Sequence, residues 1–303
     1  MESLTSSAFD HAASFVHENA RPLERAQFDF HFGTGTVESV LIELRKFKND
    51  DGGFGHGIEP DVRMPFSSPF SGTLAFQVLR ELEVAGDDPL VRDGIDYWVN
   101  AFDRNIGGWD PVGPRSDDYP RAPWWDYQPV GDQLNILKRS NPGAEIAGYL
   151  HLYSQIVSTE FLDEVTTMAE GSFDALPDDM EVHVMMCFMR MAEMAPDVVA
   201  ERLDPKLRRG VHLVTSGNAN DWQNYGGRPL WFAPKPDSLL ADELEDSVQS
   251  QLDYEIAAQA DDGSWKAFWS YGDREHQLAT AKVEWAGYLT LRNLLAFKVW
   301  GRM

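Results

Sequence analysis

Two carboxylates stand one residue apart in Glu59-Pro60-Asp61, directly after a glycine-rich stretch at residues 52–57. Proline fixes its own φ and favours an extended residue before it, so this loop is predicted to be stiff. Two neighbouring carboxyl groups can separate their pKa values and serve as an acid and a base. Asp61 is therefore the candidate general acid, with Glu59 behind it. Pairing of Asp61 with Arg63, or capping of the next helix, would explain the same residues without catalysis.

Aromatic side chains are concentrated in Tyr119-Pro120-Arg121-Ala122-Pro123-Trp124-Trp125-Asp126-Tyr127, which has no helical period. Large rigid rings in such a loop are typical of a concave site for a hydrocarbon, a sugar or a carbocation. Trp124 and Trp125 are candidates to line a pocket, and Asp126 is a second candidate catalytic carboxylate. Further candidate binding residues are Phe54, His56, Arg63, Trp109, Trp231, Trp265 and Trp269. The alternative is that several of these tryptophans wedge between packed helices.

A third segment with a candidate binding residue is Asn141-Pro142-Gly143-Ala144-Glu145, in which the candidate is Glu145. Asn141 is a typical N-cap, Pro142 suits the first helical position and Glu145 would lie in the first turn, so a helix start accounts for all three. His183 and Cys187 are four residues apart and share a helix face, but the methionines around them favour core packing over metal binding. With a single cysteine in the chain, we predict no metal site and no cofactor.

The overall charge excludes some classes of partner. The chain has 303 residues with 49 acidic and 26 basic side chains, a net charge of −23. Such a surface repels nucleic acid and anionic membranes, and it suits a solvent of high salt, which screens the carboxylates. The N-terminal residues lack the pattern of a signal peptide, and no apolar run reaches the roughly 18 residues that span a bilayer. We expect an acidic, halophilic, cytoplasmic protein that binds a small molecule; the sequence does not reveal its oligomeric state.

The elements that must position these residues are helices. Apolar residues at i, i+3, i+4 and i+7 predict helices over 9–18, 37–47, 71–84, 89–103, 144–157, 160–169, 180–194, 203–214, 239–259 and 277–299. Gly86-Asp87-Asp88-Pro89 and Asp204-Pro205 are expected to mark positions where helices stop or begin. No alternating stretch predicts a sheet. The fold class is therefore all-α.

A Gly-small-aromatic signature recurs between these helices. It occurs in Gly52-Gly53-Phe54, Gly107-Gly108-Trp109, Gly171-Ser172-Phe173 and Gly263-Ser264-Trp265, with Asn224-Tyr225-Gly226-Gly227 as a degenerate copy. Recurrence at this scale indicates five or six helical hairpins, each with one turn. Hairpins can stack openly or close into a ring. Large apolar residues in the first and last helices favour a closed ring. We therefore predict a single domain over residues 1–303.

Gln259-Ala260-Asp261-Asp262-Gly263-Ser264-Trp265 resembles the Gln-Trp repeat of the terpenoid cyclase and protein prenyltransferase superfamily, and Asn49-Asp50-Asp51-Gly52-Gly53-Phe54 is similar to it with Asn for Gln and Phe for Trp. The resemblance implies an α/α toroid around a central cavity. It does not extend to the catalytic motifs: the Asp-x-Asp-Asp acid, the Asp-Asp-x-x-Asp pattern and the Asp-x-Cys zinc pair are absent.

Three functions remain open. The first is a toroid that acts on or binds an isoprenoid in an aromatic cavity, with Asp61 as the acid. The second is a carbohydrate-active (α/α)6 barrel, a hydrolase or lyase in which Asp61 and Asp126 form the acid and base pair. The third is a toroid that binds a ligand or a protein without catalysis. Because fold transfers poorly to function, the sequence leaves enzymatic activity undecided.

Overall fold

The computed structural model describes residues 2–128 and 139–303. In these residues all regular secondary structure is helical, and extended segments meet only in isolated bridges, which confirms the all-α class. Twelve α-helices are described: α1 Ser6–Asn19, α2 Pro22–Phe32, α3 Val37–Leu44, α4 Pro69–Glu81, α5 Pro89–Ala101, α6 Gly143–Leu152, α7 Thr159–Ala175, α8 Val182–Met194, α9 Asp197–Val214, α10 Pro229–Phe232, α11 Ala241–Ala257 and α12 Ala279–Val299.

Side-chain caps fix where many of these helices begin. The hydroxyls of Thr5, Ser68 and Ser158 accept backbone N–H groups at the starts of α1, α4 and α7. Asp88 does the same for α5, whose first residue is proline. Each cap satisfies a donor that the helix leaves without an internal partner, so the sequence determines these starting points locally.

The chain divides into two compact units. Unit 1 comprises residues 1–46 and 215–303 and contains α1–α3 and α10–α12; α12 packs on α1, α2 and α11. Unit 2 comprises residues 47–214 and contains α4–α9; α6 packs on α4, α7 and α8, and α8 on α9. Each unit has its own core of large buried side chains, with Trp222, Phe232 and Phe297 in unit 1 and Phe76, Trp98 and Tyr149 in unit 2.

Three local features differ from the sequence-based expectation. Helix α2 was not predicted, because Phe28, Phe30 and Phe32 alternate with polar residues; its buried face is formed by Leu23, Glu24, Gln27 and Phe28. Helix α9 runs from Asp197 through Pro205, so this proline does not mark a helix start. Gly171-Ser172-Phe173 lies inside α7 and is not a turn, because Phe173 continues the buried face made by Phe161, Val165 and Ala169.

The first Gly-aromatic turn connects the end of the α3 region to a long loop. Asn49 N–H donates to Gly53 O (2.9 Å) and Gly52 N–H to Asn49 O (3.1 Å). The Asp51 carboxylate accepts Gly53 N–H at 3.0 Å. Gly52 has a φ of +90°, and a Cβ there would meet a backbone oxygen of α5 at 2.4 Å, so only glycine fits. The turn buries Phe54 completely.

The last Gly-aromatic turn has the same hydrogen bonds, residue for residue. Ala260 N–H donates to Ser264 O (2.9 Å), and Gly263 N–H donates to Ala260 O (2.8 Å). Asp262 accepts Ser264 N–H at 3.2 Å. Gly263 has a φ of +86°, with α1 backbone atoms 2.4 Å from the Cβ position. Trp265 is buried as Phe54 is, so the two motifs that the sequence singles out are copies of one turn.

The residue aligned with Gln259 is Lys48, one position before the expected Asn49. Gln259 Nε2 donates to Ala8 O in α1 and to Gly263 O, both at 2.9 Å. Lys48 forms an ion pair with Asp93 in α5 at 2.9 Å. Each turn is therefore tied by its first side chain to the neighbouring helix.

Candidate functional site

The two chemistry-bearing segments of unit 2 lie side by side. Residues 58–63 and 119–127, here called the loop pair, meet at a bridge between Val62 and Arg121. Arg63 N–H donates to Pro120 O, and Ala122 N–H donates to Asp61 O, both at 2.9 Å. The backbone thus joins the predicted acid loop to the predicted aromatic loop. Their separation in sequence gave no indication of this pairing.

The carboxylates of the loop pair occupy different environments. Glu59 and Asp61 are buried, at 5% and 3% exposure, whereas Asp126 is only partly covered. Buried carboxylates require hydrogen bonds or a counter-charge, because burial without them costs several kcal/mol or more. Of the two predicted catalytic pairs, Glu59 and Asp61 share one short loop, and Asp61 and Asp126 lie on the two joined segments.

The surface of the loop pair combines aromatic and charged groups. Trp124 is 50% exposed. Arg121 pairs with the carboxylates of Asp117 and Asp126, each at 2.7 Å. Trp125 packs against Phe70 with ring centroids 4.4 Å apart. The accessible indole of Trp124 therefore lies in the chain between Arg121 and Asp126, two members of a network of one guanidinium and two carboxylates.

Three predicted binding residues lie in hydrophobic cores. Phe54, Trp109 and Trp265 are between 0% and 4% exposed. The indole N–H groups of Trp109 and Trp265 donate to Trp98 O (2.8 Å) and to Glu255 O (2.7 Å). These contacts correspond to the alternative in which the tryptophans wedge between helices.

The remaining predicted residues beside the first turn are polar. His56 is exposed with a φ of +55°, and its Nε2 lies 2.8 Å from Asn49 Oδ1. Arg63 is half-buried; its guanidinium lies along Gly57, where a Cβ would approach Cζ to 3.2 Å. Both residues border the segment that carries Glu59 and Asp61.

Glu145 lies at the centre of a buried hydrogen-bond network in unit 2. Its carboxylate pairs with Arg190 at 2.8 Å and accepts Gln77 Nε2 at 2.9 Å. Tyr149 Oη donates to it at 3.3 Å, and the Cys187 thiol lies 3.8 Å away. Burial, and then the Glu145 charge, raise the pKa values of Tyr149 and Cys187 well above their usual range. The thiol is therefore kept protonated and unreactive.

Helix α6 begins at Gly143, with Glu145 in its first turn as expected. The expected cap by Asn141 is wrong: α6 has no side-chain cap, and Asn141 Oδ1 instead accepts the Cys187 thiol at 3.7 Å. The side chain of Asn141 thus faces α8 and not the helix start. His183 bonds to Glu181, the cap of α8, with 2.6 Å between Nδ1 and Oε1.

Unit 1 contains a second aromatic region, here called the aromatic cluster. Its rings are all half-buried except the more exposed Tyr225, and they belong to Tyr225, Trp231, Phe268, Trp269, Trp285 and Tyr288. Successive rings contact one another at centroid distances from 5.0 Å to 6.4 Å, mostly edge to face. Such geometry is favourable for aromatic pairs. The cluster brings together Trp231 and Trp269, which were predicted as binding residues.

A buried ion pair adjoins the cluster. Arg228 lies over the Phe268 ring, 3.7 Å from its centroid, and pairs with Glu255 at 2.8 Å. Glu255 also accepts hydrogen bonds from Gln251 (3.1 Å) and Asn293 (3.4 Å). Burial lowers the pKa of Arg228 and raises that of Glu255, in each case against the pull of the partner. Sequence reasoning missed this pair, because Glu255 is one of several acids in α11.

Across residues 2–128 and 139–303, no group of three or more His, Cys, Asp or Glu side chains is arranged to hold a metal ion. Within the same residues, every helix is too short or too polar to cross a membrane. In the part of the chain that the structure describes, all regular secondary structure is helical, two segments form the same Gly-aromatic turn, and each unit has an aromatic region. No protein-family model, curated protein or solved structure matches the chain at a significant level.

Proposed function

We propose that this protein binds a hydrophobic isoprenoid at the aromatic cluster of unit 1. The observation that carries the proposal is the continuous set of six partly exposed rings. A contiguous patch of accessible apolar rings marks a binding surface, because covering the rings with a ligand removes apolar area from water. Their π faces carry partial negative charge and also suit the C–H groups of the methyl-bearing chain of an isoprenoid.

The fold class proposed with this function is the α/α toroid of the terpenoid cyclases and protein prenyltransferases. Three observations support it. The described chain is all-helical, the two best copies of the Gln-Trp-like repeat form the same turn, and the first helix, α1, packs against the last, α12. Contact between first and last helices is required by a closed ring and not by an open array. The proposal includes closure of the helices into a ring around a central cavity.

The test is native mass spectrometry in high concentrations of volatile salt, with geranylgeraniol as the probe. Wild-type protein is expected to retain one equivalent, and Trp231→Ala/Trp269→Ala to retain at least about tenfold less, because two ring faces are lost. The matched control is Trp124→Ala/Trp125→Ala, which removes two indoles from unit 2 and is expected to bind as wild type does. Equal retention by all three proteins, or none by wild type, would contradict the proposal.

A second candidate function is supported by the loop pair of unit 2. This segment carries an exposed Trp124 and the ion pairs of Arg121 with Asp117 and Asp126, and a stacking face together with hydrogen-bonding groups serves sugars. In this alternative Asp61 and Asp126 act as acid and base. A screen of oligosaccharides for binding and cleavage tests it, with Trp124→Ala expected to abolish binding and Asp61→Asn to abolish cleavage only. Retention of a ligand without turnover would assign a binding protein.

A further inference from the structure

Two buried donors near the aromatic cluster have no hydrogen-bond partner among the described residues. They are Nε of Arg228 and Nε1 of Trp269. Arg228 is 6% exposed, and its other nitrogens are occupied by Glu255 and by the carbonyl of Trp222. An unsatisfied buried donor costs about 1–3 kcal/mol and is rare in proteins. Two of them beside one set of rings indicate an acceptor that residues 2–128 and 139–303 do not supply.

Both donors flank the same ring. The Arg228 guanidinium lies over Phe268 at 3.7 Å, and the Trp269 indole meets Phe268 at 90° with centroids 5.0 Å apart. A ligand that packs its chain on Phe268 would therefore bring its end close to one or both N–H groups.

Tyr225 is positioned to cover this place. Its ring contacts Trp231, Phe268 and Trp269, yet the residue is 56% exposed. It is followed by Gly226, where an added Cβ would meet nothing within 4 Å. The Tyr225 ring is therefore an exposed part of the surface that a ligand of these rings would meet.

The charge balance at the donors decides which acceptor fits. Arg228 and Glu255 form a pair of zero net charge, and Glu255 is further held by Gln251 and Asn293. A fully ionised head group would bring a second negative charge next to Glu255 in a buried place, which is costly. A neutral oxygen accepts a hydrogen bond without that cost.

We propose that the ligand of the aromatic cluster is an isoprenoid with a neutral oxygen at its end, such as an alcohol, aldehyde or ketone, and that this oxygen accepts hydrogen bonds from Arg228 Nε and Trp269 Nε1. The inference rests on the proposed function, since it describes the head group of the ligand whose chain the cluster binds. It differs from that function in predicting discrimination between ligands that share one chain.

The test compares three probes of equal chain length by equilibrium dialysis in high salt: farnesene, farnesol and farnesyl diphosphate. Farnesol is expected to bind wild-type protein about fivefold more tightly than farnesene, which corresponds to one net hydrogen bond, and more tightly than the diphosphate. Trp269→Phe keeps a ring and removes the donor, so the preference for farnesol should fall. The matched control is Trp300→Phe, which removes another buried indole donor without a partner among the described residues, outside the aromatic cluster, and should keep the preference.

Each outcome separates the two proposals. Equal binding of farnesol and farnesene by wild type would overturn the head-group inference. It would mean that water accepts from the two donors and that the cluster binds only the hydrocarbon chain. Tighter binding of the diphosphate would overturn the neutral acceptor. Binding of none of the probes would contradict the proposed function and this inference with it.

A second measurement does not depend on a folded variant. In ¹⁵N-labelled wild-type protein, the indole N–H signal of Trp269 is expected to shift downfield with farnesol and not with farnesene. An unchanged signal at saturating farnesol would contradict the hydrogen bond to this donor.

Discussion

The two Gly-aromatic turns have the same hydrogen bonds, but the regions that follow them differ in chemistry. After the first turn, the chain enters the loop pair of unit 2, where Trp124 is exposed and Arg121 pairs with Asp126 and with the preceding Asp117. After the second, it enters the aromatic cluster of unit 1, where rings contact rings and the charged pair Arg228–Glu255 is buried. The turn is therefore a structural device, and the residues after it set the ligand chemistry.

An abundance of tryptophan does not by itself define a binding site. Phe54 and Trp265, the aromatics of the turns, are buried in cores, whereas accessible rings such as Trp124 and Tyr225 lie outside the turns. Accessible rings surrounded by ions favour a polar ligand, and accessible rings surrounded by rings favour an apolar one.

The largest expected effect concerns the buried ion pair of unit 1. Glu255→Ala should lower the free energy of unfolding by about 3–5 kcal/mol, because it leaves the Arg228 charge buried without its carboxylate. Asp126→Ala, which removes a partly exposed partner of Arg121 in unit 2, should cost about 1 kcal/mol or less. Denaturant unfolding in high salt measures both. Similar losses for the two variants would show that the two regions do not differ in burial as described.

The next largest effect concerns the Gly-aromatic turn, of which each unit contains one copy. Gly52→Ala and Gly263→Ala should each cost about 2 kcal/mol or more, because φ is positive and backbone atoms lie 2.4 Å from the added Cβ. The control is Gly171→Ala, in the interior of α7 with no atom within 4 Å, which should stabilise by about 0.5–1 kcal/mol. Thermal unfolding distinguishes them, and tolerance of alanine at either turn would contradict their equivalence.

A smaller effect is expected at the first side chain of each turn. Gln259→Ala removes the donor to Ala8 O and Gly263 O and should cost about 1 kcal/mol. Lys48→Ala removes a partly exposed ion pair with Asp93 and should cost less than about 1 kcal/mol. A loss at Lys48 exceeding that at Gln259 would reverse the expected order.

The smallest effect depends on pH and concerns the second turn. Hydrogen bonds from Lys266 and Ser264 lower the pKa of Asp262 from 3.8 to about 2. A lowered folded-state pKa contributes stability above the unfolded-state value, and this contribution is lost as the pH falls from about 4 towards 2. Asp262→Asn should therefore flatten the pH dependence of the melting temperature in that range. An unchanged slope would show that the carboxylate is not held in its ionised form.

Local features of the fold could be predicted from the sequence. Helical periodicity predicted most of the helices, and the glycine-acid-aromatic pattern predicted both turns, because each depends on residues close in the chain. Helix α2 was missed because its phenylalanines alternate. Pro205 was misinterpreted because proline strongly disfavours helix interiors, yet α9 continues through it.

Long-range contacts could not be predicted. The bond between Asp61 O and Ala122 N, and the contact of Tyr225 with Trp269, join segments far apart in sequence. The candidate residues Trp124, Trp231 and Trp269 were found from composition, but Tyr225, Phe268 and Trp285 were not, since no local pattern distinguishes a ring on the cluster from a ring in a core. Their roles in binding stay predictions.

Binding of an isoprenoid at the aromatic cluster is tested most directly by photolabelling. The probe is a geranylgeraniol analogue that carries a diazirine on its chain, and the labelled sites are found by peptide mapping. Labelled residues are expected within 225–231 and 268–288, the segments that form the aromatic cluster, and excess unlabelled geranylgeraniol should suppress the labelling. Labelling concentrated in residues 119–127, or labelling that the competitor does not suppress, would contradict binding of an isoprenoid at this cluster.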